Sequence, residues 1–392
     1  MKNTKKSLRR ITATLVAMAA SASFAAVPIS GGGITFSMPS FSASAADTDV
    51  LTYENYSYKV TENGIVITAY NGSEANPVIP SAIDETAVTA IGSSAFKECT
   101  NLTKLEIPSS ITEIGNSAFY NCTGLTEIEI PSSVTTIGGS AFAGCISLEK
   151  LTLNEGLTTL GSNCFQNTII SSVNIPSTLT SVDVPSYNPH GPFYNCKSLK
   201  NVTFDDKTTM VVGHLFNGCV GLETVNIPDT VNTIGNSAFS YCYALTEVDI
   251  PYSVATIEAF AFEDCTSLKD ITIHNPYCNI YNKDVTISDN ATIKGYATST
   301  AENYALTYER EFVSLGSFTL GDVNEDGMID SSDASTVLAE YALMQTGGEP
   351  TFTEIQKISA DVNKDYSVDS SDASKILAYY ADSSTGKTPS WN

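Results

Sequence analysis

The sequence predicts a solenoid of short parallel strands, an α/β-type array of 23-residue coils, followed by a small all-α module. Two observations carry this reading. A phenylalanine recurs at 96, 119, 142, 165, 193, 216, 239 and 262, at intervals of 23 residues with a single interval of 28. A twelve-residue pattern of oxygen-bearing side chains then stands at 322–333 and returns at 361–372, each copy running into a near-identical apolar segment.

Residues 1–46 precede the folding pattern. Lys2, Lys5, Lys6, Arg9 and Arg10 are followed by apolar and small residues from Ile11 to Val27, the order of a secretory signal peptide. Cleavage is expected after Ala46, at the end of a Gly/Ser/Pro-rich stretch. A site after Ala25 or Ala26 is the other position, and an uncleaved N-terminal anchor is the alternative. No later stretch reaches the ~18 uninterrupted apolar residues of a membrane span. Loss of the five basic residues takes the net charge from −23 to −28. A surface of that sign repels nucleic acid and anionic membranes, so neither is expected as a partner.

The repeat occupies 88–290. Ile91-Gly92 with Phe96 and Cys99 aligns with Ile114-Gly115, Phe119 and Cys122, and again with Ile234-Gly235, Phe239 and Cys242. Between these units lie segments such as Leu102-x-x-Leu105-x-Ile107-Pro108 and Leu125-x-x-Ile128-x-Ile130-Pro131. A period of 20–29 residues with L-x-x-L/I-x-I is the signature of a leucine-rich-repeat solenoid. One coil cannot bury its own apolar side, whereas stacked coils share a continuous core. The segment is expected to form a strand of a parallel sheet, with Phe, Leu and the Ile of Ile-Gly in buried rows. Proline ends the pairing because it has no N–H to donate.

Seven of the nine cysteines (99, 122, 145, 196, 219, 242 and 265) lie three residues after the register Phe, and Thr168 fills the missing rung. A small, weakly polar residue in a repeated slot reads as a buried thiol. Disulfides between adjacent rungs are the alternative, although seven in one row cannot all pair. Between Val182 and Phe193 the chain inserts six residues more than the usual spacing. Insertions in solenoids map to loops on one face, which often bind. Tyr187 and His190 are the candidate ligand-contacting residues of this one, and a tolerated surface loop is the plain alternative. The outward strand positions, Lys104, Glu106, Glu127 and Glu129 among them, are polar and carry no aromatic row for stacking sugars. A protein or surface ligand suits this face at least as well, and a merely solvated face is the default.

The recurring Ile-Pro-x-Ser-Val-x-x-Ile-Gly-x-x-Ala-Phe-x-x-Cys resembles the BspA-like leucine-rich repeats of bacterial surface proteins. The resemblance extends over about 50–315. It implies an N-terminal β-cap over 47–87 and a closing cap over 291–315.

The last module is placed at 316–392, and from Gly321 the composition shifts abruptly. Asp322, Asn324, Asp326, Asp330 and Asp333 occupy the first, third, fifth, ninth and twelfth places of a loop, with Gly327 at its sharp turn. Calcium is a hard cation taking 6–8 oxygens, one of them a backbone carbonyl at the seventh place, here Met328. The spacing matches the EF-hand loop, with Asp333 in place of the closing Glu. In the second copy Asp361, Asn363, Asp365, Ser367 (carbonyl), Asp369 and Asp372 repeat the set, and Tyr366 replaces the turn glycine. Two loop–helix units within about 70 residues, each closed by Asp, closely resemble type I-like dockerins. That resemblance implies two bound Ca2+ ions and docking onto a cohesin module of a scaffoldin, in an extracellular complex that degrades plant cell walls (a cellulosome). Carried over from the family, the cohesin-binding residues are Ser331, Ser332, Leu338, Ala339 and Leu343 in the first copy. In the second they are Ser370, Ser371, Leu377 and Ala378. Core packing is the alternative for Leu338 and Leu377. Phe318 is expected to meet Pro389 and Trp391 in a terminal clasp.

No catalytic constellation appears: His190, His214 and His274 occupy unrelated points of the repeat. The expected function is that of a secreted, non-enzymatic subunit of an anaerobic bacterium's cell-surface complex. It docks through 316–392 and presents the repeats to an unidentified protein or surface. An adhesin for plant or host surfaces, or a polysaccharide hydrolase subunit, is the rival reading.

Overall fold

The computed structural model describes residues 50–186 and 190–391. The proposed signal peptide and its cleavage sites therefore lie outside the described residues, as does Tyr187.

The array opens with an antiparallel meander, Leu51–Tyr53, Tyr56–Thr61 and Gly64–Tyr70. The last of these strands pairs in parallel with Thr86–Ile91 and so starts the stack. Thereafter each coil contributes to two rows of short strands. One row holds the L-x-x-I-x-I strands, such as Glu127–Ile130 beside Lys150–Leu153 and Glu247–Ile250 beside Asp270–Ile273. The other holds the residues just before Ile-Gly, as in Thr136–Ile137 beside Thr159–Gly161 and Thr233–Ile234 beside Thr256–Ile257. This second row was not anticipated from the repeat pattern. The 28-residue interval interrupts it: Ser181–Asp183 ends one sheet and Met210–Val211 begins the next.

The core between the rows is the phenylalanine column. All eight rings are fully buried. They stack from Tyr70 through Phe262 with centroids 4.9–5.9 Å apart, and the long interval leaves Phe165 and Phe193 only 5.4 Å apart. The extra residues thus leave the column unbroken.

Around each Phe the backbone forms turns rather than a helix. Positions two before and two after the ring take left-handed φ values, for example Ser94 (60°) and Glu98 (61°), Ser117 (55°) and Asn121 (57°), and Asn163 (56°) and Asn167 (60°). Left-handed residues only four positions apart interrupt a right-handed helix. The freed backbone groups pair between coils instead, with the Phe96 N–H donating to Ala118 O at 2.7 Å and the Phe119 N–H to Ala141 O at 2.7 Å. The glycine of Ile-Gly is required by close approach: a Cβ on Gly138 would lie 2.6 Å from the Asn116 N of the coil beneath.

All nine thiols are free. The cysteine column donates along the stack, Cys122 Sγ to Phe96 O at 3.0 Å, Cys145 Sγ to Phe119 O at 3.2 Å and Cys265 Sγ to Phe239 O at 3.1 Å. Thr168 holds the missing rung, its hydroxyl 2.9 Å from Phe165 O and 3.4 Å from Cys196 Sγ. Burial pushes the Cys196 thiol up to about 11 and the Cys265 and Cys278 thiols up to about 12.

The array closes with Thr292–Gly295, helix α1 (Thr300–Thr307, capped by Ser299) and Phe312–Ser314, which pairs in parallel with Thr292–Gly295. Three helices follow: α2 (Ser331–Gln345), α3 (Glu354–Ala360) and α4 (Ser370–Ser384). Helices α2 and α4 pack on each other around a second core of Val323, Ala334 and Val337 with Val362, Ala373 and Ile376. Each residue of the first set has its counterpart 39 positions later. Among the described residues no helix is long and apolar enough to cross a membrane.

Candidate calcium and docking site

Each twelve-residue loop is wound by its own carboxylates. In the first, Asp322 accepts from the N–H groups of Asp326 and Gly327, both at 3.1 Å. Asp326 accepts from Met328 N at 2.9 Å. Asp333, fully buried at the start of α2, accepts from Val323 N (2.8 Å) and Asn324 N (3.1 Å) with one oxygen and from Asp330 N (2.9 Å) with the other. The second loop repeats this: Asp361 accepts from Asp365 N and Tyr366 N, Asp365 from Ser367 N, and Asp372 from Asn363 N and Asp369 N. These bonds fold each loop back on its own carboxylates.

The ninth residues have a different task. Asp330 and Asp369 are the N-caps of α2 and α4, each accepting from the N–H two residues on, Ser332 at 2.7 Å and Ser371 at 2.6 Å. A carboxylate at a helix N-terminus satisfies an orphan donor and complements the helix dipole. Those hydrogen bonds hold both carboxyls below the usual carboxylate range.

The donor set fits a hard cation. Carboxylate oxygens of Asp361, Asp365 and Asp372 lie within 4.8 Å of one another, and Asp361 and Asp372 are fully buried. Burial pushes the Asp361 carboxyl above its usual range and the Asp372 carboxyl up to about 6. Converging buried carboxylates resist ionisation unless a cation balances them, and an all-oxygen cage is the ligand chemistry of calcium. The turn residue Tyr366 takes φ 67°, the left-handed conformation that Gly327 takes at φ 83°.

The helices carry the positions expected, from the dockerin resemblance, to meet a cohesin. Ser331, Ser332, Leu338 and Ala339 on α2 are exposed, as are Ser370, Ser371, Leu377 and Ala378 on α4. Leu338 and Leu377 are each 43% exposed, which excludes core packing for both. Leu343 is half-buried and folds onto Gly348. Glu340, on the inner face of α2, receives Thr351 N (2.7 Å), the Thr351 hydroxyl (2.6 Å) and Phe352 N (3.2 Å), and so fastens the linker to the helix.

Two families account for most of the chain. The BspA type leucine rich repeat region matches residues 76–190 and 189–291, in six copies. The chain belongs to the BspA-type leucine-rich-repeat family. The dockerin type I domain matches residues 320–379, the stretch that holds both loops and most of α4. BspA-type repeats and dockerins are non-catalytic module types typical of extracellular bacterial proteins, and a type I dockerin implies a cohesin partner and calcium binding. Among solved structures, a T. pallidum leucine-rich-repeat protein is 28% identical, with 50% of this chain and 91% of that one covered and a TM-score of 0.43. A Bacteroides ovatus leucine-rich-repeat protein is 20% identical, covering 68% of this chain and 99% of its own, at a TM-score of 0.31. A leucine-rich cell surface protein of Faecalibacterium prausnitzii is 19% identical, covering 65% and 97%, at 0.28. No curated protein matches the chain.

Three placements differ from expectation or were missed. The clasp of Phe318 with Trp391 does not form: Trp391 stacks on Tyr379 of α4 at 4.2 Å and covers Gly321, while Phe318 packs edge-on against Tyr277 and Tyr296 of the repeat array. An aromatic ring seats on the nearest large apolar surface, and for Phe318 that is the array's closing cap. His190 begins the coil after the insertion and stacks on Tyr194 at 3.7 Å. Burial holds it below the usual histidine range. Finally, Tyr252 of the array donates its hydroxyl to Asp361 Oδ2 at 3.0 Å. Only the break in the repeat, tyrosine where other coils carry Ser109, Ser132 or Ser177, signals this in the sequence.

Proposed function

We propose that the protein is a secreted, non-catalytic subunit that docks through its dockerin onto a cohesin module of an extracellular polysaccharide-degrading complex. Two calcium ions hold the docking fold. Asp322, Asn324, Asp326, Asp333 and the Met328 carbonyl hold one, with Asp330 closing the ninth place. Asp361, Asn363, Asp365, Asp372 and the Ser367 carbonyl hold the other, with Asp369 in that place. The repeat array, whose polar strand face carries ion pairs such as Lys104–Glu127 at 2.9 Å, presents a protein- or surface-binding face.

The observation that carries the reading is the doubled, exposed Ser-Ser…Leu-Ala face, projected from two helices that share one core. Either face is equipped to meet a cohesin, in orientations related by about 180°. A panel of cohesins titrated with the full chain tests this. L338D and L377D alone each leave binding within a few-fold, and the double variant L338D/L377D loses it. Loss with one single variant contradicts the two-orientation reading, and binding by the double variant contradicts the assignment of these helices.

A further inference from the structure

The docking module sits against the repeat array through its second calcium loop, and the residues that meet there are those that break their own internal repeats. Tyr252 occupies the slot after the strand-ending proline, which holds Ser109, Ser132, Ser177 and Asp229 in other coils. Tyr366 and Lys364 stand where the first loop has Gly327 and Glu325. In the structure these departures face one another. The Tyr252 hydroxyl donates to Asp361 Oδ2 at 3.0 Å, and its ring meets that of Tyr366 edge-on at 6.0 Å and 68°. Lys364 Nζ lies 3.9 Å above the Tyr277 ring, within the range of a cation–π contact. At the matching turn of the first loop, a Cβ on Gly327 would meet nothing within 4 Å.

Asp361 is the residue through which the array reaches the metal loop. Both of its oxygens are already oriented, Oδ1 by Asp365 N at 3.1 Å and Oδ2 by Tyr366 N at 2.9 Å and by Tyr252. A donor behind a ligating carboxylate fixes its rotamer and tunes its affinity for metal. Tyr366 holds a backbone conformation that is costly for a bulky side chain, and its side chain is 41% exposed with its ring edge-on to Tyr252.

We propose that the second calcium site is completed by the repeat array. Tyr252 is a positioning residue for Asp361, so calcium at this loop locks the dockerin onto the array, while the first loop and both recognition helices stay free for a partner. By linkage, the seam strengthens calcium binding at this loop and calcium strengthens the seam in return. This rests on the calcium reading of the second loop.

Calcium titration of the full chain by competition with a chelator tests the proposal. D322A isolates the second site and D361A isolates the first. Added to D322A, the substitution Y252F, which removes only one hydroxyl from a half-buried ring, weakens the remaining site by about tenfold. Added to D361A, it leaves the first site within twofold. Unchanged affinity in the D322A background overturns the proposal, as does equal weakening of both sites, which makes Tyr252 a residue of general stability. If D322A alone binds no calcium, the metal reading of the second loop has failed instead, and the proposal with it.

Discussion

A buried Phe in this array has a like ring on both sides, so its contribution is larger than its own transfer from water. Removing the Phe142 ring takes away stacking on Phe119 at 4.9 Å and on Phe165 at 5.4 Å and leaves a cavity that rigid neighbouring coils cannot close. F142A is expected to lower stability by ~3–5 kcal/mol, read as a shift in the denaturant midpoint of the full chain. A shift below ~1 kcal/mol would show that the coils collapse around the gap. The cysteines beside the column are packing spacers. Except at half-buried Cys99 their thiols are buried, and several bond to carbonyls of the preceding coil, out of reach of a reagent. In the native chain an alkylating reagent is expected to reach only half-buried Cys99 at an appreciable rate, and all nine thiols after unfolding. Rapid native labelling of several rungs contradicts the packed column.

At the scale of the element, the loop–helix unit is legible because metal ligation fixes oxygen atoms at set places along the chain, and the spacing survives in two copies. The helices after the loops were equally legible, since Ala334, Val337 and their counterparts Ala373 and Ile376 mark one apolar side. What the spacing hid is the division of labour among the carboxylates. Asp330 and Asp369 spend an oxygen on capping a helix, a role set by backbone direction. The repeat shows the same split. Its 23-residue period exposed the Phe column, whereas the second row of strands and the turns beside each Phe depend on left-handed φ values. The Ser, Asn and Gly residues two places from the ring were the available signal. Because the loops gather charge that only a cation balances, chelation of the full chain is expected to remove the helical signal of α2 and α4 while the array's cooperative unfolding persists. Helicity unchanged by chelator contradicts metal-coupled folding.

On the scale of the whole molecule, a stack of coils carries a small dockerin module against its final turns. Period and loop spacing made both parts readable, but not how they meet. Tyr252, Tyr277, Phe318 and Tyr366 lie in three separate stretches of chain, and their proximity follows from how the cap ends. The seam leaves the Leu338 and Leu377 faces exposed, so docking and the array's own surface are open to different partners at once. The measurement that bears most directly on this account is a calorimetric titration of the full chain against a panel of cohesins, with calcium and then with chelator. The account predicts tight binding to one cohesin group, abolished by chelator and by D322A/D361A, with the array still folded. Calcium-bound, folded protein that engages no cohesin would contradict it, leaving the module as a metal-stabilised end to the repeats.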